Sequence, residues 1–154
     1  MPGDTAATEW QGFHEGSELV QLVNPAAGYL QNCNIPPEGM IRGKSLDPGK
    51  YPDYLWGSRA YGERSGWTNQ RGARALELLS ADTSVTVAEA MAIANDIVPY
   101  GTDRWLRALA AAVDGDARAT EVVGWNGSLA SKSVPALRYF YWRQAIAARS
   151  DGAA

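Results

Sequence analysis

The chain changes character near residue 67, and this change constrains its fold more than any other feature. Residues 1–67 are rich in glycine, proline and aromatic residues and carry few helix signals. Residues 68–149 instead carry apolar residues at helical spacing, separated by capping residues and helix breakers. The sequence therefore predicts an α+β protein that is mostly helical, with a strand and loop region before a helical region.

The first region predicts one short β-hairpin. The segments ELVQLVN and YLQNCN have the composition of two short strands. NPAAG reads as the turn between them, because Pro25 fixes φ and Gly28 is free to take a positive φ. The Pro36-Pro37 pair forbids further ladder pairing. We therefore expect the hairpin to span about residues 19–34.

A long loop rich in aromatic residues follows the hairpin. Loops of this length inside compact domains are usually functional or disordered, and the aromatic residues argue against disorder. They are Tyr51, Tyr54, Trp56, Tyr61 and Trp67. One hypothesis for the function is therefore a small helical binding module that uses residues 51–67 as its contact surface.

The second region predicts about four helices with short links, which favour antiparallel packing. A capping box between Thr86 and Glu89 begins the second helix, since each side chain can satisfy a backbone amide of the first turn. We expect Thr68, Thr102 and Ser133 to cap the first, third and fourth helices in the same region.

Charge and composition exclude several classes of function. The net charge is −3 and no Lys/Arg cluster occurs, so we expect no nucleic-acid partner. The longest apolar run is far below the roughly 20 residues of a membrane-spanning helix, so we expect no membrane partner. A single cysteine excludes an internal disulfide and a cysteine-based zinc site. Phosphate-binding and paired-histidine motifs are absent from the sequence, and we expect neither a cofactor nor a metal.

Residues 24–37, NPAAGYLQNCNIPP, resemble the Asn-Pro-x-x-Gly-(aromatic)-x-x-Asn-x-Asn signature in the β-chain of the penicillin amidase family. Four more segments between residues 9 and 147 resemble family motifs and follow in the family's order. They are EWQGF, YLWGSRAYGERSGWTNQRGARALELL, VTVAEAMAIANDI and GWNGSLASKSVPALRYFYWRQAI. Asn126 departs from the pattern, because the family's Trp-Asp-Gly turn has an aspartate there.

The resemblance implies an amide-bond hydrolase with an N-terminal nucleophile and a piece of the family's αββα fold. The family includes penicillin, cephalosporin and acyl-homoserine-lactone acylases. By resemblance, Asn34 donates a hydrogen bond to the oxyanion of the tetrahedral intermediate, Asn32 supports it, and Arg71 is the active-site arginine. From the residues alone, Asn34 also fits a strand-end cap, and Arg71 also fits a solvated residue in a first helical turn.

The resemblance also implies partners. The family's nucleophile begins the β-chain, far upstream of this signature, and Met1-Pro2-Gly3 is not a nucleophile. We therefore expect residues 1–154 to be a single partial domain, an internal β-chain fragment that is inactive in isolation. Its expected partners are the remainder of the acylase, which is the α-chain and the N-terminal part of the β-chain, and a small N-acyl substrate. The expected location is periplasmic or extracellular.

Overall fold

The structure, a computed structural model, forms two compact units, Met1–Trp67 and Thr68–Ala154. It describes residues 3–9, 11–43, 46–52, 55 and 68–151. Within these ranges, no helix has both the length and the apolar character needed to span a membrane.

The first unit consists of loops and short 3-10 helices wherever it is described. The 3-10 helices are Ala6–Thr8, Gly16–Glu18, Pro37–Gly39 and Pro48–Lys50. Residues 19–34 are all described and contain no strand, so the predicted β-hairpin is wrong, and no part of an αββα sandwich is seen in the described residues. The aromatic loop predicted at residues 51–67 falls mostly outside the described residues.

Two asparagines help to explain why the hairpin does not form. Asn24 has a φ of +47° and Asn34 a φ of +58°. Both values lie in the left-handed region, so each asparagine ends any extended segment before it. The Gln31 amide of the second expected strand donates to the Met40 carbonyl instead of to the first expected strand. The predicted turn between the expected strands is confirmed, because the Gly28 amide donates to the Pro25 carbonyl at 2.8 Å and Gly28 has a φ of +75°. The segment is therefore a turn flanked by irregular backbone.

The second unit contains five α-helices in its described residues. They are α1 (Gln70–Ala81), α2 (Val87–Ala94), α3 (Thr102–Ala112), α4 (Ala117–Val123) and α5 (Val134–Asp151). The sequence predicted all but α4, which is only 7 residues long. The Asp116 side chain caps α4 by accepting hydrogen bonds from the Arg118 and Ala119 amides at 2.8 and 3.0 Å.

Two of the predicted helix caps are confirmed. At the start of α2, the Glu89 amide donates to the Thr86 hydroxyl at 3.3 Å, and the Thr86 amide donates to the Glu89 carboxylate at 2.8 Å. This is the reciprocal pair that defines a capping box. At the start of α5, the Ser133 hydroxyl accepts from the Ala136 amide at 3.3 Å.

The other two predicted caps are wrong by one residue. Asn69 rather than Thr68 caps α1, and its side chain accepts an amide hydrogen bond from the first turn at 2.8 Å. Asparagine is the stronger capping residue of the two. Gly101 precedes α3 with a φ of +75°, and the Thr102 hydroxyl instead donates to the Pro99 carbonyl at 2.7 Å.

The core of the second unit lies where α3, α4 and α5 meet the turn after α4. Its buried members are Leu109, Val122, Trp125, Ala136 and Tyr139. The Trp125 and Tyr139 rings pack with their centroids 5.1 Å apart. The Trp125 indole also donates to the Ser128 carbonyl at 3.1 Å, so its polar edge is satisfied on burial.

An ion pair ties α1 to the segment that follows α2. The Arg74 guanidinium donates to one Asp96 oxygen from Nε at 3.1 Å and from Nη2 at 2.8 Å. Asp96 also accepts from the Val98 amide at 2.7 Å. Burial raises the pKa of the Asp96 carboxyl, but the hydrogen bonds from Arg74 and Val98 outweigh this effect and hold the pKa below its usual 3.8. The pair thereby fixes the helix that carries Arg71.

Candidate functional site

Asn34 lies in a loop whose two ends are joined by hydrogen bonds from one residue. The Gln31 backbone amide donates to the Met40 carbonyl at 3.1 Å. The Gln31 side chain donates from Nε2 to the Gly39 carbonyl at 3.0 Å. These two bonds close residues 32–38 into a defined loop, and Gln31 itself is buried, with only 7% of its surface exposed.

The Asn32 side chain sets the backbone of Asn34. Its Oδ1 accepts a hydrogen bond from the Asn34 amide at 2.9 Å, which is an Asx turn. Asn34 has a φ of +58°, a conformation that asparagine tolerates better than other side-chain-bearing residues. The Asn32 side chain therefore stabilises this backbone conformation of Asn34 through a hydrogen bond to its amide.

Burial changes sharply on the C-terminal side of Asn34. Asn34 is exposed, whereas Ile35 keeps only 6% of its surface in contact with solvent and Pro36 is also buried. The apolar Ile35 side chain thus anchors the chain one residue after Asn34. With the Asx turn on one side and this anchor on the other, the Cα position of Asn34 is fixed. Such a residue can present a side-chain amide as a preorganised hydrogen-bond donor.

Arg71 lies in the first turn of α1. It is the second residue of the helix and is exposed. The N-terminus of a helix carries a partial positive charge, so a guanidinium there is locally unfavourable.

The two predicted site residues lie in different compact units, Asn34 in the first and Arg71 in the second. Each is anchored by the contacts of its own unit. Across the described residues, no group of three or more His, Cys, Asp or Glu side chains could hold a metal ion.

The sequence was compared with models of known protein families, and the penicillin amidase model matches residues 1–152. The chain belongs to the penicillin amidase family. The match covers nearly the whole chain and relates it to acylases and to hydrolysis. No solved structure matched the chain.

Asn126, where the family pattern that the sequence resembles has an aspartate, lies in an ordered turn. The Asn126 Oδ1 accepts from the Ser128 amide at 3.0 Å, a bond that an aspartate oxygen makes equally well. Gly127 follows with a φ of +82°, which favours glycine. The substitution of asparagine for aspartate therefore preserves the hydrogen bond that shapes this turn.

Sequence reasoning missed Gln31 as a member of the site. Glutamine is mostly exposed in folded proteins, and Gln31 lies beside Asn32 in a segment predicted as a short strand, so nothing in the sequence marked it as buried. Its side-chain partner lies 8 residues downstream, in a loop that the local pattern does not relate to it. Only the structure reveals the closed loop around Asn34.

Proposed function

We propose that this chain supplies the oxyanion-binding residue of an amide-bond hydrolase. Its substrates would be small N-acyl compounds such as β-lactam antibiotics or acyl-homoserine lactones. The observation that carries the proposal is Asn34, the last asparagine of the family signature, held in a left-handed conformation by the Asn32 side chain. Membership of the penicillin amidase family supports the hydrolytic chemistry.

The proposed role follows from the charge that develops in amide hydrolysis. Attack on the carbonyl carbon gives a tetrahedral intermediate with negative charge on the former carbonyl oxygen. The Asn34 side chain would donate an N–H to that oxygen without any change in its own charge. Because its backbone is already fixed, little reorganisation is needed at the moment of reaction. Removing one donor of this kind costs about 2.7–4 kcal/mol of barrier.

In this proposal the nucleophile and base come from the remainder of the acylase, which is the α-chain and the N-terminal part of the β-chain. The family's nucleophile is a serine, threonine or cysteine whose own α-amine serves as the base. Arg71 would lie near that amine, and a nearby positive charge favours the neutral amine that can accept a proton. The family resemblance also supports a periplasmic or extracellular location.

The test uses the processed acylase that contains this chain, with release of the acyl group as the measurement. Asn34→Gly is the sharpest variant, because glycine accepts the φ of +58° and the substitution removes the side-chain amide. We expect kcat to fall about 10²–10³-fold, with KM nearly unchanged. Asn34→Asp should be at least as harmful, since a carboxylate repels the developing negative charge.

Asn24→Gly is the matched control, because Asn24 is the other asparagine with a positive φ. It should leave kcat close to that of the parent enzyme. Near-parental kcat in Asn34→Gly would contradict the proposal. If Asn32→Ala abolished turnover while Asn34→Gly did not, the oxyanion role would belong to Asn32.

The proposed role of Arg71 can be tested separately through the pH dependence of the reaction. Loss of a positive charge near the amine raises the pKa of that amine. Arg71→Gln should therefore move the acidic limb of kcat/KM to higher pH. A variant with an unchanged pH profile would show that Arg71 does not act on the base.

A further inference from the structure

We infer that Gln31 is a positioning residue for Asn34, and that its side-chain amide fixes the loop from which Asn34 would bind the oxyanion. The inference rests on the function proposed for Asn34. Gln31 itself lies outside the reacting groups, and it acts by joining the two ends of the loop formed by residues 32–38.

The burial of Gln31 indicates that its side-chain amide is needed as a hydrogen-bond donor. With 7% exposure it is one of the few buried polar residues in the described part of the chain. Its Oε1 is buried and accepts no hydrogen bond within the described residues. A buried acceptor without a partner is unfavourable, and an apolar side chain of the same size would avoid that penalty. What an apolar side chain cannot do is donate to the Gly39 carbonyl.

The acceptor of this hydrogen bond is itself well fixed. The 3-10 turn Pro37–Gly39 is closed by the Gly39 amide, which donates to the Pro36 carbonyl at 2.9 Å. Ile41 follows with 4% exposure and anchors the chain in the interior of the first unit. The Gly39 carbonyl therefore has a fixed position. Because the Gln31 side chain donates to it, the start of the loop is held in place as well.

Two neighbouring contacts connect the Gly39 carbonyl to Asn34. Gln31 precedes Asn32 directly, and the Asn32 Oδ1 holds the Asn34 amide at 2.9 Å. If the Gln31 side chain no longer held Gly39, the Asx turn would move relative to the buried segment after Asn34. A donor in an oxyanion site must lie about 2.7–3.1 Å from the oxygen. A shift of about 1 Å at the loop is therefore enough to weaken catalysis.

The test is Gln31→Met in the processed acylase, since methionine has a similar size and cannot donate a hydrogen bond. We expect kcat to fall on the order of 10- to 100-fold with KM unchanged. Gln21→Met is the matched control, because Gln21 also donates from its side chain to a glycine carbonyl, that of Gly16, but is exposed and outside the loop. It should leave both constants unchanged.

A double variant distinguishes positioning from a general structural effect. If Gln31 acts through Asn34, Gln31→Met should lower kcat no further once Asn34→Gly is present. Equal losses in both backgrounds would overturn the inference. Gln31→Asn, which keeps a shorter amide, should fall between the parent and Gln31→Met. If neither Gln31 variant yields soluble processed enzyme, Gln31 is required for folding and the positioning role is overturned.

The same set of variants separates the two claims. Unchanged kcat in Asn34→Gly would remove the proposed function and this inference with it. A loss in Asn34→Gly together with parental kcat in Gln31→Met would overturn this inference alone.

Discussion

Replacing Asp96 with asparagine should destabilise the second unit, because it removes the charge from the ion pair that ties α1 to the segment after α2. The pair is largely shielded from water, with 25% of the Arg74 side chain and 13% of the Asp96 side chain exposed. The carboxylate accepts two hydrogen bonds from the guanidinium on one oxygen and one from the Val98 amide on the other. Asparagine has a single oxygen, so it can keep only one of these two sets, and its NH2 group cannot accept the other. We expect a loss of about 1–2 kcal/mol in the free energy of unfolding.

The assay is urea unfolding of the chain followed by circular dichroism at 222 nm. This signal reports the second unit, because all five α-helices of the described residues lie there. Asp103→Asn is the matched control. Asp103 accepts from Arg107 at 2.8 Å, but the two side chains are 67% and 72% exposed, and such pairs add little stability. Equal unfolding curves for the two variants would refute the reasoning.

The lowered pKa of the Asp96 carboxyl predicts how the stability of the second unit depends on pH. Its pKa in the folded chain lies below the usual 3.8. The ion pair therefore makes its full contribution to the free energy of unfolding above pH 3.8. This contribution is lost as the pH falls through the lower pKa that the Asp96 carboxyl has in the folded chain. The difference in unfolding free energy between the parent and Asp96→Asn should shrink below about pH 4. A difference that stayed constant down to pH 2 would contradict this assignment.

Two further predictions concern the second unit. Gly127→Ala should destabilise it by about 2–3 kcal/mol, since an added Cβ meets side-chain atoms at 3.2 and 3.3 Å in addition to the backbone strain at φ +82°. Gly115→Ala is the control, because Gly115 has a φ of +70° and no atom lies within 4 Å of the added Cβ. It should lower the free energy of unfolding clearly less than Gly127→Ala does. Equal losses for the two variants in urea unfolding would contradict the packing argument. The isolated chain should self-associate through α5, because Leu137 and Tyr141 are 57% and 61% exposed. The double variant Leu137→Ser/Tyr141→Ser should sediment with a lower average mass than the parent, and a parent chain that is already monomeric would refute the prediction.

The helical region could be predicted from sequence because its signals are local. Apolar spacing gave four of the five helices, and the capping box at Thr86 and Glu89 has the hydrogen bonds that its sequence implies. The short helix α4 was missed, since 7 residues contain too few turns to show a periodic pattern. Cap positions shifted by one residue where two capping side chains compete, as at Thr68 and Asn69.

The region around Asn34 was harder to predict for a physical reason. Strand composition does not reveal that Asn24 and Asn34 take left-handed backbone conformations. The Gln31 hydrogen bonds reach 8 and 9 residues along the chain, beyond any local pattern. The sequence thus proposed Asn34 as a site residue through its resemblance to a family signature, and the structure has a closed loop where a strand end was expected.

The most direct test of the central claim measures how tightly the processed acylase binds a tetrahedral anionic analogue of the intermediate, such as a phosphonate. If Asn34 binds the oxyanion, Asn34→Gly should weaken binding of the analogue by about 10²–10³-fold. KM for the matching amide substrate should change little, because the ground-state carbonyl carries no full negative charge. Equal affinity of the parent and Asn34→Gly for the analogue would contradict the account.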